Sequence, residues 1–111
     1  MPENFDVIVI GAGIVGACVT YEMTKGGKKV VCLDKNPVAG AGSTTNSCAV
    51  IRTHYSTLGG AAFALSNYPY WQDWARYLGA TDDGNLAQYR EVGCIYTCFK
   101  ENNYAAKLVT L

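Results

Sequence analysis

Hydrophobic residues fill consecutive positions near the start of the chain rather than every second one. Residues 5–10 read FDVIVI, with valine and isoleucine on both faces of an extended segment, which predicts a strand buried on both sides. Three glycines follow, and residues 14–25 then predict a helix that ends at Gly26 and Gly27. Residues 29–33 (KVVCL) predict a second short strand. This order predicts a βαβ unit with parallel strands and a right-handed crossover.

The pattern changes after Asp34. Residues 35–47 are rich in Gly, Ser, Thr and Asn, which is typical of a loop. Apolar residues then recur at helical intervals in the second half of residues 59–78, and Pro69 is expected to kink or begin this helix. The apolar stripe of the helix is more typical of a core than of a substrate pocket; it consists of Phe63, Trp71, Trp74 and Leu78.

The last part of the chain predicts a turn at 82–84, a strand over 89–99 and the start of an amphipathic helix over 101–111. The sequence stops inside that helix without a capping glycine. One βαβ unit does not complete a doubly wound sheet, which needs several more strands. The expected fold class is therefore α/β: the N-terminal βαβ part of a Rossmann-like domain, truncated from something longer.

Composition excludes several classes of protein. Nine basic and nine acidic residues cancel, so nothing attracts nucleic acid or an anionic membrane. The longest apolar run is interrupted by glycines and is too short to span a bilayer, and no signal peptide precedes it, so a cytoplasmic location is expected. Five scattered cysteines and one histidine predict neither a disulfide framework nor a metal site.

The glycines after the first strand are the main candidate for chemistry. Gly11, Gly13 and Gly16 spell G-x-G-x-x-G between a predicted strand and a predicted helix, which is the context of a dinucleotide-binding turn. The first glycine permits the tight turn, the second lets a pyrophosphate approach the backbone, and the third lets helix and strand pack closely. The helix N-terminus, at Ile14 and Val15, offers N–H groups and partial positive charge to the phosphates.

An acid at the end of the second strand completes this pattern. Asp34 is expected to accept hydrogen bonds from the adenosine ribose and to disfavour the 2′-phosphate of NADP, with Lys35 beside it at the cofactor. The alternative is a glycine-rich turn with an incidental aspartate, although each such glycine costs up to about 1 kcal/mol in an element interior.

Beyond these motifs, DVIVIGAGIVGACVTYEMTKGGKKVVCLDK and AGAGSTTNSCAVIRTHYS resemble the N-terminus of FAD-dependent amine and amino-acid oxidoreductases. This is the glycine oxidase, sarcosine oxidase and D-amino-acid oxidase group. Within it, the sequence most resembles the β-subunit type of sarcosine oxidase. The resemblance runs through most of the chain, but residues 5–56 carry its specific motifs. It implies an FAD-binding domain over 1–88 and the start of a substrate domain over 89–111.

The resemblance also implies roles for individual residues. The hydroxyl-rich loop would wrap the flavin's phosphates and ribityl chain through Gly42, Ser43, Thr44 and Thr45, with Ser47 as a further candidate; the alternative is an ordinary solvated loop. Arg52 matches a basic residue that the family tends to place near the flavin ring. His54, with Tyr55, is a candidate for a place near the flavin, against the alternative of a loop or packing histidine.

The activity implied is oxidation of the C–N bond of a secondary amine or amino acid, with hydride transfer to FAD. No catalytic residue is assigned, because those that bind the substrate are expected beyond Leu111 or in a partner subunit. Two other functions stay open at this point. One is a non-catalytic nucleotide-binding subunit that needs a partner chain, and the other is part of an NAD-dependent dehydrogenase, for which the aspartate in place of the family's usual glutamate leaves room.

Overall fold

A computed structural model describes residues 4–81, 83–84 and 86–95 of the chain. The chain divides into two compact units, Met1–Val50 and Ile51–Leu111. The division expected from the sequence, into 1–88 and 89–111, stays a prediction.

The first unit is the predicted βαβ unit. Strand β1 (Val7–Ile10) leads through the glycine turn into helix α1 (Ile14–Lys25), and strand β2 (Val30–Leu33) follows. The strands are parallel, in a register that pairs Val7 with Val30 and Ile10 with Leu33. The α/β class and the Rossmann-like arrangement predicted from the sequence are therefore confirmed.

Glycines set both ends of α1 where the sequence predicts them. Gly13 is extended (φ −75°, ψ −177°) and precedes the first helical residue. At the other end, the N–H of Gly26 donates to the carbonyl of Glu22, and Gly27 follows with a φ of 81°. Because a left-handed φ favours glycine, the chain leaves the helix at this point and turns towards β2.

The strands begin later than predicted because a side chain replaces part of the ladder. The Asp6 carboxylate accepts the main-chain N–H of Lys29 at 2.8 Å, and the N–H of Asp6 donates to the carbonyl of Lys29 at 2.8 Å. This pair joins the ends of the two strands that lie opposite the glycine turn.

One face of β1 is open to solvent. Val7 and Val9 are half-buried on the face that α1 covers, whereas Ile8 and Ile10 are 62% and 87% exposed. The prediction of a strand buried on both sides is therefore wrong within the described residues. The physical reason is that α1 is the described helix that packs on this sheet, and it can cover only one of its faces.

The second unit contains helices α2 (Leu58–Gln72) and α3 (Trp74–Leu78). Thr57 caps α2 by accepting the N–H of Gly60 at 3.2 Å, and Asp73 caps α3 by accepting the N–H of Arg76 at 2.9 Å. Pro69 lies inside α2 rather than at its start. The helical run is interrupted at Asp73, between α2 and α3, instead of at the proline.

Aromatic rings connect the two helices of this unit. Trp71 and Trp74 meet edge to face with ring centroids 5.2 Å apart, and Tyr77 lies 5.4 Å from Trp74. The two tryptophans are half-buried, as is Leu78, but Phe63 is 74% exposed. The expected core role is therefore wrong for Phe63, which the described residues leave uncovered.

Tyr68 of α2 contacts the segment that follows α3. The hydroxyl of Tyr68 donates to Oε1 of Glu91 at 2.6 Å, and its ring meets that of Tyr89 edge to face at 5.6 Å. Residues 89–95 form no strand, which corrects that part of the prediction. The rest of the predicted strand, the helix over 101–111 and Asp82 of the predicted turn lie outside the described residues.

Candidate dinucleotide-binding site

The turn between β1 and α1 has a shape that only glycine permits at two positions. Gly11 has a φ of 103°, a conformation that other residues rarely adopt. A Cβ on Gly16 would collide with the carbonyl oxygen of Gly11 and lie 2.9 Å from its carbonyl carbon. The helix can therefore lie against the end of β1 only because position 16 has no side chain, as the motif predicts.

Thr44 reaches the start of α1 from the loop after β2. Its Oγ1 accepts the N–H of Ile14, the first helical residue, at 3.0 Å. A Cβ on Gly13 would lie 3.1 Å from the same oxygen, so the absence of a side chain at position 13 leaves room for this cap. Since a hydroxyl accepts and donates at once, the Thr44 hydrogen is still available to a ligand.

The hydroxyl-rich loop is ordered by its own hydrogen bonds. Gly40 accepts both from the main-chain N–H of Thr45, at 3.0 Å, and from its hydroxyl, at 2.6 Å. The side chain of Asn46 donates to the carbonyl of Gly42 at 2.9 Å. The N–H of Gly40 in turn donates to the carbonyl of Ala12 at 2.8 Å, which joins the loop to the glycine turn.

Asp34 lies against the glycine turn as well. Its Oδ2 accepts the N–H of Ala12 at 2.6 Å, and its Oδ1 accepts the N–H of Asn36 at 2.8 Å. The N–H groups of Asn36 and Ala12 hold the pKa of the Asp34 carboxyl below its ordinary value, because they stabilise the charged form. Each carboxylate oxygen retains a lone pair, so the side chain can still accept from a ribose hydroxyl.

Most of the predicted site residues belong to the first unit. The contacts above hold together the glycine turn, the start of α1, Asp34 and the loop. The predicted site residues in this unit are Gly11, Gly13, Ile14, Val15, Gly16, Asp34, Lys35, Gly42, Ser43, Thr44 and Thr45. Arg52 and His54 belong to the second unit. There the guanidinium of Arg52 lies over the ring of Tyr55, 5.6 Å from its centroid, and His54 is half-buried.

The sequence gives little signal for one residue that organises this site, Ala12. Ala12 donates to Asp34 and accepts from Gly40, so both polar groups of its main chain are engaged. Because Ala12 makes these bonds through its own main-chain atoms, the residue type at position 12 does not reveal them. The one hint is that the motif places position 12 between two glycines.

The arrangement suits a diphosphate beside a ribose. Val15 and Gly16 are the second and third residues of α1, whose N–H groups have no acceptor within the helix. The first turn of α1 contains no acidic residue, so no side chain of the helix itself opposes an anion at its positive end. A diphosphate fits this donor set, and the neighbouring carboxylate fits the hydroxyls of a ribose.

Comparison with protein families identifies the cofactor. The model of the DAO family, described as FAD-dependent oxidoreductase, matches residues 6–110. The chain belongs to this family. Its cofactor is therefore FAD, and the family is one of FAD-dependent oxidoreductases. Because the turn, the helix end and the acid suit the adenosine diphosphate half of FAD, the geometry agrees with the family.

Individual relatives match half of the chain or less. A protein of Dictyostelium discoideum whose name describes a bifunctional amine oxidase is 40% identical over 57 residues, which are 50% of this chain and 5% of that protein. Protein FixC of Azotobacter vinelandii is 44% identical over 41 residues, or 37% of this chain and 10% of its own length. Digeranylgeranylglycerophospholipid reductase of Sulfolobus acidocaldarius is 31% identical over 56 residues, or 50% and 12%.

The chain therefore spans only 5% to 12% of the lengths of these relatives. No solved structure matches the chain. Among the described residues, no helix combines the length and the apolar character needed to cross a bilayer.

Proposed function

We propose that the chain is the FAD-binding part of an oxidoreductase that oxidises the C–N bond of a secondary amine or an amino acid, of the sarcosine, glycine or D-amino-acid type. The observation that carries the proposal is the DAO family match over residues 6–110. The sequence resemblance to amine and amino-acid oxidoreductases supports it, as does the similarity to a protein named as an amine oxidase. The substrate class is accordingly a small molecule.

The first unit supplies the contacts for the cofactor in this proposal. The N–H groups at the start of α1 and the hydroxyl of Thr44 hold the diphosphate, and Asp34 holds the adenosine ribose. When bound, the flavin supplies the hydride acceptor for the oxidation. Arg52 and His54 are assigned to the flavin ring by resemblance, where the cation of Arg52 would stabilise negative charge. No catalytic residue is assigned within the chain.

The proposal has further parts that concern the whole protein. Residues 1–88 would form the FAD-binding domain and residues 89–111 would begin the substrate domain. A further segment or a partner subunit would supply the substrate-binding groups, and the protein would work in the cytoplasm.

The similarity to a digeranylgeranylglycerophospholipid reductase favours a second candidate function. In it, the same cofactor site would serve the reduction of carbon–carbon double bonds in a lipid. The two candidates differ in the direction of electron flow, because an amine reduces the flavin whereas an unsaturated lipid oxidises the reduced flavin.

An anaerobic titration separates these functions. The protein is loaded with FAD, and sarcosine, glycine and D-alanine are added in turn while the flavin absorbance is followed. Bleaching by one of them, reversed by oxygen or another electron acceptor, is the expected result. No bleaching by any amine, together with recovery of colour when the dithionite-reduced protein meets a prenylated lipid, would establish the second function instead.

Cofactor loading itself has a matched pair of variants. Gly13→Val fills the space beneath Thr44 and is expected to abolish flavin binding, since it displaces the cap and blocks the approach to the turn. Gly59→Val is the control, because a Cβ at position 59 meets nothing within 4 Å. A folded Gly13→Val protein with full flavin content would contradict the assignment of the site.

A further inference from the structure

The main chain of Ala12 lies at the centre of the candidate site. Its N–H donates to Asp34 at 2.6 Å and its carbonyl accepts from Gly40 at 2.8 Å. Ala12 stands between Gly11, whose φ of 103° creates the turn, and Gly13, which precedes the helix. The orientation of this peptide therefore sets where the first N–H groups of α1 point.

Glycine turns are costly to hold in one conformation, because glycine loses more backbone freedom on folding than any other residue. Two side chains oppose that freedom here. Thr44 fixes the N–H of Ile14 on the helix side, and Asp34 fixes that of Ala12 on the strand side. Of the two, Asp34 forms the shorter and charged bond, which is the stronger type.

We propose that Asp34 is a positioning residue for the glycine turn, so that it controls the binding of the diphosphate as well as that of the ribose. The inference rests on the proposed FAD site and adds to it a second action of Asp34 through Ala12. The depressed pKa of Asp34 agrees with it, because the main-chain donors keep the carboxylate charged. If Asp34 contacted only the ribose, its removal would not change the conformation of the glycine turn or the binding of the diphosphate.

A cycle of two nucleotides and two proteins tests this inference. ADP carries the diphosphate and the ribose hydroxyls, whereas 2′,3′-dideoxy-ADP keeps the diphosphate and lacks both hydroxyls. The dissociation constants of both are measured by calorimetry for the unmodified protein and for Asp34→Ala. We expect Asp34→Ala to raise the dissociation constant of dideoxy-ADP about tenfold, as the loss of one charged hydrogen bond implies. The dissociation constant of ADP should rise by more, because the ribose contact is lost as well. Dideoxy-ADP binding within twofold of the unmodified protein would overturn the inference and leave Asp34 as a ribose ligand only.

Asp6→Ala is the matched control. Asp6 also accepts a main-chain N–H across the sheet, that of Lys29 at 2.8 Å, but at the end opposite the turn. We expect it to leave the binding of both nucleotides within twofold. An equal loss of dideoxy-ADP binding in the two variants would mean general destabilisation and would overturn the inference.

Asp34→Asn covers the case in which Asp34→Ala does not fold. Its amide oxygen can still accept from Ala12 without the charge, so dideoxy-ADP is expected to bind with intermediate affinity. In the nucleotide-free protein, hydrogen exchange at the Ala12 amide is expected to accelerate in the order unmodified, Asn, Ala. Unchanged exchange at Ala12 would overturn the inference. A protein that binds neither FAD nor ADP before any substitution would instead remove the FAD site itself, and the inference with it.

Discussion

The carboxylate of Asp34 accepts the main-chain N–H of Ala12 at 2.6 Å, which joins the end of the second strand to the turn after the first. The pair connects two parts of the G-x-G-x-x-G…Asp pattern that are 22 residues apart. In the usual reading of that pattern, the glycines serve the phosphates and the acid serves the ribose. Here the acid also touches the turn, so the two functions share a residue.

This contact predicts an acid-dependent loss of stability. Because the folded state lowers the pKa of Asp34 from its ordinary 3.8, the carboxylate stabilises the protein fully above that value. The contribution is lost as the pH falls through the folded-state pKa. Urea unfolding of the unmodified protein and of Asp34→Asn, between pH 7 and pH 2, should show a constant difference down to about pH 4 that then shrinks. A difference that grows towards low pH would contradict the prediction.

Gly16→Ala should strongly destabilise the first unit. The added Cβ meets the Gly11 carbonyl, which is main chain and cannot swing aside, so helix and strand must separate. We expect a loss of about 1–3 kcal/mol or more in the free energy of unfolding, measured by circular dichroism in urea. Gly42→Ala is the control, since its Cβ meets nothing within 4 Å and its φ is not left-handed, and it should be neutral or slightly stabilising. Equal effects would show that close packing at Gly16 is not the cause.

Thr44→Val should remove the cap on α1 with little change of volume. Loss of an N-terminal capping hydroxyl costs about 1 kcal/mol, and Thr44→Ser should restore most of it. Thr57→Val removes the comparable cap from α2 and should cost a similar amount. The two variants should differ in FAD affinity, which can be followed by flavin fluorescence: Thr44→Val should weaken it and Thr57→Val should not. Equal affinities would exclude Thr44 from the site.

Glu91→Gln should lower the pKa of Tyr68. The Glu91 carboxylate accepts the Tyr68 hydroxyl hydrogen and, together with Tyr89, raises the pKa of Tyr68 above its ordinary 10.0. A neutral amide removes the negative charge beside the hydroxyl, so tyrosinate should form at lower pH in the variant. Ultraviolet absorbance during an alkaline titration measures this, and subtraction of Tyr68→Phe identifies the signal. An unchanged titration would show that the Tyr68–Glu91 bond is absent in solution.

Ala49→Gly should stabilise the protein. Among the described residues, Ala49 is the non-glycine residue with a left-handed φ, at 51°. Because a Cβ disfavours this conformation by roughly 1–2 kcal/mol while glycine gives back part of that as entropy, we expect a net gain of about 0.5–1 kcal/mol. Ala62→Gly, on the exposed side of α2, should instead cost up to about 1 kcal/mol. A loss of stability in both variants would contradict the strain at Ala49.

The boundaries of α1 could be predicted from the sequence because glycines mark them. Gly13 and Gly26 border α1, and the helix begins and ends next to them as the sequence indicates. The strands follow because their composition suits a parallel sheet. Burial was harder to predict, since Ile8 and Ile10 have the residue type of a core while no described element covers them.

Two other features depend on hydrogen bonds to main-chain atoms, which residue types alone do not predict. The interruption between α2 and α3 falls at Asp73, which caps α3. It does not fall at Pro69, although proline usually interrupts a helix interior. In the site, Ala12 is fixed through its own main-chain N–H and carbonyl, which do not depend on its side chain. The roles of the loop hydroxyls, Arg52 and His54 stay predictions.

The exposed isoleucines of β1 have a practical consequence for work with this protein. An environment-sensitive dye such as anilinonaphthalene sulfonate should fluoresce on the native state, before any heating begins, with Ile8 and Ile10 among the exposed apolar residues that bind it. Melting curves recorded with such dyes would therefore start from a bright baseline and misreport the transition. Substitution of Ile8 by threonine should dim that baseline, and Ile8 does not adjoin the glycine turn as Ile10 does.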